Sequence, residues 1–329
     1  MAITIGNITV NDPVWLAPMT GVSDLPFRKL VKRFGAGMVV SEMIASRAMI
    51  LETKNTLRMA SFSPDEYPFA VQLAGCDPEV MADAAKLNED RGAHIIDINF
   101  GCPVKKVVCK GAGAGVLKDV DLMIRLTKAV IKSTNLPVTV KTRLGWDDSM
   151  INIMEVAERL QDIGIKALTV HGRTRAQMYK GEARWEYIAE VKNNPRMHIP
   201  IFGNGDINSP EKALVYKNKY GLDGMMIGRA AIGYPWIFNE IKHFFKTGEH
   251  LPTPSIANRV EVCKTHVLKS VEWKGEKLGL LEMRNHYANY FKGIPDFKET
   301  RTKLVTLNTT ESIVEVLAEV SARPLLQTA

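Results

Sequence analysis

The chain contains 329 residues, of which 46% are hydrophobic and 24% are charged, a composition typical of a soluble globular protein. Lys and Arg number 43 against 36 Asp and Glu, and the net charge of +7 permits a polyanionic partner such as nucleic acid without establishing one. No apolar run approaches the roughly 18 residues that a membrane-spanning helix needs, so we expect no membrane contact.

The start of the chain, MAITIGNITVNDP, lacks the basic region and the continuous apolar run of a secretory signal peptide, so we expect none. The four cysteines are scattered without paired spacing, which gives no zinc-binding pattern and favours a reducing compartment. We therefore expect a cytoplasmic protein without a metal site.

A short apolar run followed by a helical stretch recurs eight times along the chain. The stretch 152–164 is typical of these helices, because it places Val156 and Leu160 on one face and ends at Gly164. Such alternation predicts βα units with parallel strands, and eight units fit an α/β fold of the (β/α)8 TIM barrel type. A doubly wound open sheet is the alternative, although 17–21 lacks its glycine fingerprint. The eight runs occupy 14–19, 38–43, 69–75, 94–101, 138–145, 167–173, 200–206 and 224–230.

The pattern changes after the eighth run. The segment TGEHLPTPS at 247–255 predicts a linker, because it is rich in turn-forming residues and contains two prolines. Beyond it the chain has helical patterns and no strand-like runs. We therefore predict a catalytic barrel over 1–245, followed by a small all-helical C-terminal domain over 250–329.

Polar residues stand where seven of the eight runs end. In a TIM barrel the active site lies at the C-terminal ends of the strands. A single polar residue there is ordinarily a satisfied group at the start of a loop, but a ring of them indicates a large, flat, polar ligand. The residues are Met19, Glu42, Gln72, Asn99, Cys102, Lys141, Arg143, His171, Arg173, Asn204, Asp206 and Arg229.

Two features narrow the chemistry of this ligand. The seventh run ends in GNGD and the eighth in GRA, where TIM barrels commonly bind a phosphate, and Arg229 adds a charged donor. Lys141 projects toward the barrel axis, and a fixed cation there suits a flavin, which gains negative charge near N1 and O2 when reduced. Gln72 and His171 can hydrogen-bond the edges of the flavin ring. The residues thus predict a barrel that binds flavin mononucleotide (FMN).

Eight longer segments resemble those of one known family, in its order and at its spacing, over essentially the whole chain. They are LAPMTGVSDLPFR, VQLAG, DINFGCPVKKV, GAGAGVL, VKTRLGW, HGRTR, GNGDI and MIGRAAIGYPWIF. The chain is similar to the tRNA-dihydrouridine synthases, and most similar to their bacterial B-type branch. The resemblance implies an FMN-dependent barrel and a helical tRNA-binding domain, which together reduce uridines in the D-loop of tRNA with NADPH as the electron donor.

The resemblance places the catalytic cysteine in the Gly-Cys-Pro turn, at Cys102. Hydride transfer from reduced FMN to C6 of uracil leaves negative charge over C5 and O4, and a proton must then reach C5 from the opposite face. A thiol with an ordinary pKa is mostly protonated at pH 7 and can donate that proton. Cys109 departs from the B-type pattern, which has a polar or basic residue near this position, and we interpret it as a bystander in a loop.

The remaining expected site residues fall into two groups. The expected flavin-binding residues are Ala17, Pro18, Met19, Gln72, Lys141, His171, Asn204, Gly205, Asp206, Gly228 and Arg229. The expected substrate-binding residues are Asn99, Arg173, Lys105, Lys106, Arg284 and Tyr287. For the lysines that follow the Gly-Cys-Pro turn, contact with tRNA phosphates and simple solvation of the loop remain equally open.

The segment 284–303 interleaves basic and aromatic residues, which suits phosphate contact together with stacking on bases or riboses. An alternative is that the aromatic side chains form a core and the cations solvate the outer helix faces. The residues alone do not separate these two interpretations, and the family resemblance favours RNA binding.

Two other functions compete with this one. An FMN barrel enzyme acting on a small molecule would share the flavin residues without needing the basic and aromatic tail. A tRNA-binding folding chaperone would need neither Cys102 nor Lys141. We expect no obligate protein partner, and the sequence leaves open which uridine is modified, the choice of NADPH over NADH and the oligomeric state.

Overall fold

The computed structural model describes residues 2–322, which form a nearly closed barrel of eight parallel strands followed by a helical region. The strands are β1 (Ile3–Ile5), β2 (Ile8–Val10), β3 (Val14–Leu16), β4 (Val39–Val40), β5 (Ile44–Ala45), β6 (Phe69–Ala74), β7 (Ile95–Asn99), β8 (Val138–Arg143), β9 (Ala167–His171), β10 (Ile201–Asn204) and β11 (Gly224–Ile227). The barrel follows the order β3-β11-β10-β9-β8-β7-β6-β4. Its two ends also meet, because Leu16 N donates to Met38 O at 3.1 Å. This architecture confirms the predicted barrel and excludes the open sheet.

The helices are α1 (Leu25–Arg33), α2 (Ser46–Ile50), α3 (Lys54–Ala60), α4 (Pro78–Asp90), α5 (Lys105–Val108), α6 (Val120–Ser133), α7 (Ile153–Asp162), α8 (Glu186–Asn193), α9 (Pro210–Tyr220), α10 (Ile237–Thr247), α11 (Ile256–Lys274), α12 (Glu276–Tyr290), α13 (Lys298–Thr306) and α14 (Thr310–Ala322). Short 3-10 helices span Pro64–Glu66, Gly113–Lys118 and Arg229–Ala231. The helical C-terminal region, α11 to α14, confirms the predicted fold class. The division into domains at 245 and 250 stays a prediction, and residues 1 and 323–329 lie outside the described residues.

The inward-facing residues of the strands form two layers inside the barrel. The lower layer, toward the N-terminal ends of the strands, is apolar, and the upper layer, toward their C-terminal ends, is polar. Trp15 stacks on Phe202 with ring centroids 3.6 Å apart. The β1–β2 hairpin, which the sequence patterns did not reveal, adds Ile5 and Val10 to this layer and closes the N-terminal end of the barrel. Toward the C-terminal ends the buried inward residues are polar: Gln72, Asp97, Asn99, Thr139, Lys141, His171 and Asn204.

Polar contacts fasten the helical region to the barrel. Lys274, at the end of α11, forms ion pairs with Asp24, which caps α1, and with Glu282 of α12. On the other side, Asn289 Nδ2 donates to the carbonyl oxygen of Ile232, just after β11, at 2.8 Å. These contacts hold the helical region beside the C-terminal ends of the strands.

Two buried histidines lie in the same junction. The ring of Phe27 packs on those of His266 and His286, with centroids 5.3 and 4.8 Å away. His266 Nδ1 is 3.1 Å from Tyr290 Oη, and His286 Nδ1 accepts from Gly233 N at 3.1 Å. Burial lowers the pKa of His266 to about 3 and holds that of His286 well below its usual value. Both imidazoles are therefore neutral at pH 7.

Acid should destabilise the protein through this junction. Because the folded-state pKa is depressed, the contribution of each histidine is complete above pH 6.5 and declines below it by about 1.4 kcal/mol per pH unit. We expect His266→Gln to reduce the loss of unfolding free energy between about pH 7.5 and 5.5, measured by urea unfolding. His198→Gln, at an exposed position, should keep the wild-type dependence. Identical pH dependence in wild type and His266→Gln would contradict this account.

Candidate active site

A cavity of about 1320 Å³ opens at the C-terminal ends of the barrel strands. The helical region contributes Arg259, Asn289, Lys292 and Gly293 to its lining, so the cavity lies between the barrel and the helices. Fourteen of the predicted site residues line it together: Ala17, Pro18, Met19, Gln72, Asn99, Cys102, Lys141, His171, Arg173, Asn204, Gly205, Asp206, Gly228 and Arg229. The structure thus brings together every predicted flavin-binding residue and the predicted catalytic cysteine.

Cys102 lies on a turn whose backbone N–H groups are hydrogen-bonded by the side chain of Asn99. Asn99 Oδ1 accepts from the backbone N–H of Gly101 at 3.0 Å and from that of Cys102 at 2.8 Å. Asn99 Nδ2 donates to Gln72 Oε1 at 2.7 Å, and both amide side chains are buried. Asn99 therefore uses its polar atoms mainly on the protein, whereas we expected it to contact the substrate. The thiol of Cys102 is free and half-buried at the cavity wall.

Lys141 provides a buried cation in the same wall. Its Nζ donates to Asn204 Oδ1 at 3.0 Å, and Asn204 Nδ2 in turn donates to the carbonyl oxygen of Met226 at 2.7 Å. Burial and the neighbouring Arg143 lower the pKa of Lys141 to about 8, while Asp97 acts in the opposite direction. At pH 7 the side chain is charged and has donors left for a ligand.

His171 is neutral, because burial and then the cations Arg143 and Lys141 hold its pKa well below the usual value. Its Nε2 lies 3.3 Å from an Nη atom of Arg173. A guanidinium is only a donor, so Nε2 accepts and the imidazole proton lies on Nδ1. His171 can consequently offer one neutral N–H to a ligand.

The buried arginines Arg143 and Arg173 organise the loop after β9. Arg143 donates to the carbonyl oxygens of Gly101, Thr174 and Met178 at 2.7 to 3.0 Å. It therefore links this loop to the turn of Cys102. Burial lowers the pKa of Arg143 to about 10, so it remains charged at pH 7.

Arg173 donates to the carbonyl oxygens of Lys180 and Gly181 and to Asp206, in addition to its contact with His171. Its side chain is 2% exposed. These contacts leave little of the guanidinium for a substrate, although Arg173 does line the cavity. The structure therefore indicates that Arg173 supports the loop, whereas we expected it to bind substrate.

Asp206 and Arg229 pair with each other at the phosphate position predicted from the sequence, with Arg229 Nη2 2.8 Å from Asp206 Oδ1. Partial burial raises the pKa of Asp206, but hydrogen bonds from Arg173 and from the N–H of Ala183 outweigh it and the net shift is downward. Beside them, a Cβ added to Gly228 would make only ordinary contacts with Ala17 Cβ and Met19 Sδ, both at 3.7 Å, so the backbone is not tightly covered here. A ligand can approach the strand end closely at this point.

Four predicted substrate-binding residues lie outside the cavity lining. Lys105 and Lys106 are exposed on α5, next to the Cys102 turn. Arg284 is half-buried on α12 and donates to Asn308 Oδ1 at 2.9 Å. Tyr287 is fully buried in the core of the helical region, so the expectation that it stacks on RNA is wrong.

The neighbouring aromatic residues Tyr290, Phe291 and Phe297 share this core. A helical domain of this size needs large apolar side chains to bury, and these aromatic residues provide them. The alternative in which the aromatic side chains form a core is therefore the correct one for this segment.

Several lining residues were not predicted to belong to the site. Tyr179 lies 54% exposed at the rim, with the guanidinium carbons of Arg143 and Arg229 5.7 and 5.4 Å from its ring centroid. It occupies an irregular loop that carries no periodic signal. Arg259 and Lys292, both in the C-terminal helical region, face the barrel only because the tail folds back, which no local pattern reveals.

Cys109 is exposed at the end of α5 and does not line the cavity, unlike Cys102. Within residues 2–322, no group of three or more His, Cys, Asp or Glu side chains could hold a metal ion. Over the same range, none of the helices is both long and apolar enough to cross a membrane.

Comparison with known proteins places the chain in a family. The model of the dihydrouridine synthase (Dus) family matches residues 15–324. The probable tRNA-dihydrouridine synthase of Rickettsia conorii is 45% identical over 318 residues, 96% of each chain. The tRNA-dihydrouridine synthase B of Pseudomonas aeruginosa is 44% identical over 311 residues, 94% of this chain and 93% of the relative.

Solved structures agree on the fold. Histamine dehydrogenase from Rhizobium sp. 4-9 superposes with a TM-score of 0.59 at 12% identity, covering 81% of this chain and 50% of that one. Morphinone reductase in complex with tetrahydroNAD superposes with a TM-score of 0.54 at 13% identity, and the match covers 78% of this chain and 92% of that one. At such identities the likeness concerns the barrel fold alone. The sequence matches carry the assignment, and they confirm the resemblance noted above: the chain belongs to the dihydrouridine synthase family.

Proposed function

We propose that the protein is an FMN-dependent tRNA-dihydrouridine synthase, which reduces the C5–C6 bond of D-loop uridines in tRNA with electrons from NADPH. The observation that carries the proposal is the presence of a free thiol, Cys102, and a buried cation, Lys141, in the wall of one large polar cavity. The relatives named as tRNA-dihydrouridine synthases support the choice of substrate.

The residues at the cavity base fit FMN. A flavin ring needs hydrogen-bond donors and acceptors along its edges and a cation near N1 and O2, which Gln72, His171 and Lys141 can supply. The backbone at Gly228, which lines the cavity, and the guanidinium of Arg229 suit the phosphate. When bound, the flavin would supply hydride chemistry, accepting a hydride from NADPH and passing it to C6 of uracil.

The chain's own contribution to the chemistry is a proton. Hydride addition at C6 requires one proton at C5, and Cys102 is the group that we propose donates it through its S–H bond. The thiolate that results recovers a proton from water, so one hydride and one proton are consumed for each dihydrouridine formed. Lys141 would stabilise negative charge nearby throughout this step.

The helical region suits a polyanionic substrate. Arg259 and Lys292 face the barrel mouth across the cavity. Lys105 and Lys106 lie exposed beside the Cys102 turn, where tRNA phosphates could reach them. We propose that a uridine from the D-loop enters the cavity between these two groups of cations. All four cysteines are free, which fits the reducing cytoplasm in which tRNA is modified.

Lys141→Ala should weaken FMN binding by about tenfold or more, because a buried charge-assisted donor is lost. Its pKa of about 8 means that the cation is present below pH 8 and lost above it. Wild-type affinity for FMN should therefore fall as the pH rises through 8, whereas the variant should lack this step. Fluorescence titration of flavin-free protein measures both effects.

Lys118→Ala is the matched control, because Lys118 stacks on Trp146 outside the cavity lining. It should keep wild-type FMN affinity and its pH dependence. If Lys141→Ala bound FMN like the wild type at every pH, the role assigned to Lys141 would be wrong.

Cys102→Ala should retain FMN and its reduction by NADPH, since neither step needs the thiol. Dihydrouridine formation should fall by about 10²–10⁴-fold, the usual effect of losing a positioned general acid. Cys109→Ala is the control and should stay within a few-fold of wild type. Stopped-flow flavin kinetics and nucleoside mass spectrometry separate the two half-reactions. An inactive Cys109→Ala beside an active Cys102→Ala would overturn the assignment.

A further inference from the structure

A chain of buried hydrogen bonds runs beneath the Cys102 turn and begins at Asp97, a residue to which the proposed reaction gives no role. Asp97 Oδ1 accepts from Thr139 Oγ1 at 2.6 Å, and Asp97 Oδ2 accepts from Gln72 Nε2 at 2.6 Å. The strand register places the three residues side by side on β6, β7 and β8. Asp97 and Thr139 are each 4% exposed and Gln72 is fully buried.

The carboxylate sets the direction of every hydrogen bond that follows. Burial raises the pKa of Asp97, while the hydrogen bonds from Thr139 and Gln72 and the charge of Lys141 act in the opposite direction. In its charged form the carboxylate can only accept, so Gln72 must turn its Nε2 toward Asp97 and its Oε1 toward Asn99. Asn99 must then direct its Nδ2 toward Gln72, which leaves Asn99 Oδ1 facing the N–H groups of Gly101 and Cys102. By itself, each amide side chain could face either way, with its oxygen and its NH₂ group exchanged. The acceptor at Asp97 fixes the orientation of both.

The opposite arrangement is unfavourable. If Gln72 and Asn99 both turned over, Asn99 would point its NH₂ group at the two backbone N–H groups of the turn. Those donors would then be partly buried without an acceptor, which costs free energy. The turn that carries Cys102 would lose its support from below.

We propose that Asp97 is a positioning residue, which orients the amides of Gln72 and Asn99 and thereby holds the Cys102 turn against the cavity. The proposal rests on the proposed function in one respect, namely that Cys102 delivers a proton to the substrate. Its structural part, the effect of Asp97 on the Cys102 turn, can be measured without flavin or tRNA.

A double-mutant cycle with isosteric substitutions separates two effects of Asp97, namely the orientation of the Gln72 and Asn99 amides and the negative charge near Lys141. In Asp97→Asn, the new Oδ1 can face Gln72 while the new Nδ2 donates to Thr139 Oγ1, so the chain survives. In Thr139→Val, the carboxylate loses one donor and still orients Gln72. In the double variant, the Nδ2 at position 97 faces a valine and has no acceptor there, so the original orientation of Gln72 and Asn99 loses much of its advantage over the reversed one. Asp97→Asn and the double variant carry the same charge, so Lys141 experiences the same loss of a neighbour in both.

The readout is the alkylation rate of Cys102 by iodoacetamide, followed by peptide mass spectrometry with the exposed Cys76 as internal reference. A turn without its support should expose the half-buried thiol. We expect each single variant to stay within about threefold of wild type and the double variant to react about tenfold faster or more, since only there does the amide at position 97 lack a partner on its Thr139 side. Asp97→Leu, which removes the acceptor for Gln72 outright, should react like the double variant and provides an independent test.

Turnover gives the second readout. In the double variant kcat for tRNA reduction should fall by about tenfold or more while KM stays near the wild-type value, because the hydrogen-bond chain lies beneath the turn. A double variant whose Cys102 reactivity is merely the product of the two single effects would overturn the proposal. Wild-type protein that lacks flavin or does not reduce tRNA would refute the proposed function, while the alkylation cycle would still decide the role of Asp97.

Discussion

A polar group that loses its water inside a protein must find a partner there, and the upper half of this barrel is arranged around that constraint. Apolar residues and the β1–β2 hairpin fill the lower half, so water is excluded from below. Above them, carboxylate, amide, ammonium and imidazole groups lie on adjacent strands. Gln72 donates to Asp97, Asn99 donates to Gln72 and Lys141 donates to Asn204, so these buried groups satisfy one another. A free thiol, an ammonium with spare donors and a neutral imidazole line the cavity.

The same constraint explains which predictions from the sequence succeeded. Eight apolar runs, seven of them with polar ends, were enough to predict the barrel and its ring of inward-facing side chains, because strand periodicity and barrel geometry are local properties. Roles at the level of hydrogen bonds were harder to predict. Asn99 and Arg173 were expected to contact the substrate, yet their donors and acceptors are used mostly within the protein. No sequence pattern shows how a buried group divides its bonds between protein and ligand.

Non-local packing explains the remaining differences. Tyr287 belongs to a segment whose mixture of basic and aromatic residues suited RNA, but its helix turns that side chain into the core of the helical region. Conversely, Arg259 and Lys292 show no motif, and only the docking of the helices through Lys274 and Asn289 places them over the barrel mouth. The likeness to other barrels concerns the fold, whereas relatives at 44–45% identity are named as tRNA-dihydrouridine synthases.

The most direct test of the account is the product formed on tRNA. The purified protein, supplied with FMN and NADPH, is incubated with tRNA from a strain that lacks the corresponding gene, and the nucleosides of the D-loop are examined by mass spectrometry. We predict that a D-loop uridine gains the mass of two hydrogens, and that this gain requires NADPH, FMN and Cys102. A protein that binds FMN and oxidises NADPH but leaves every D-loop uridine unchanged would contradict the account.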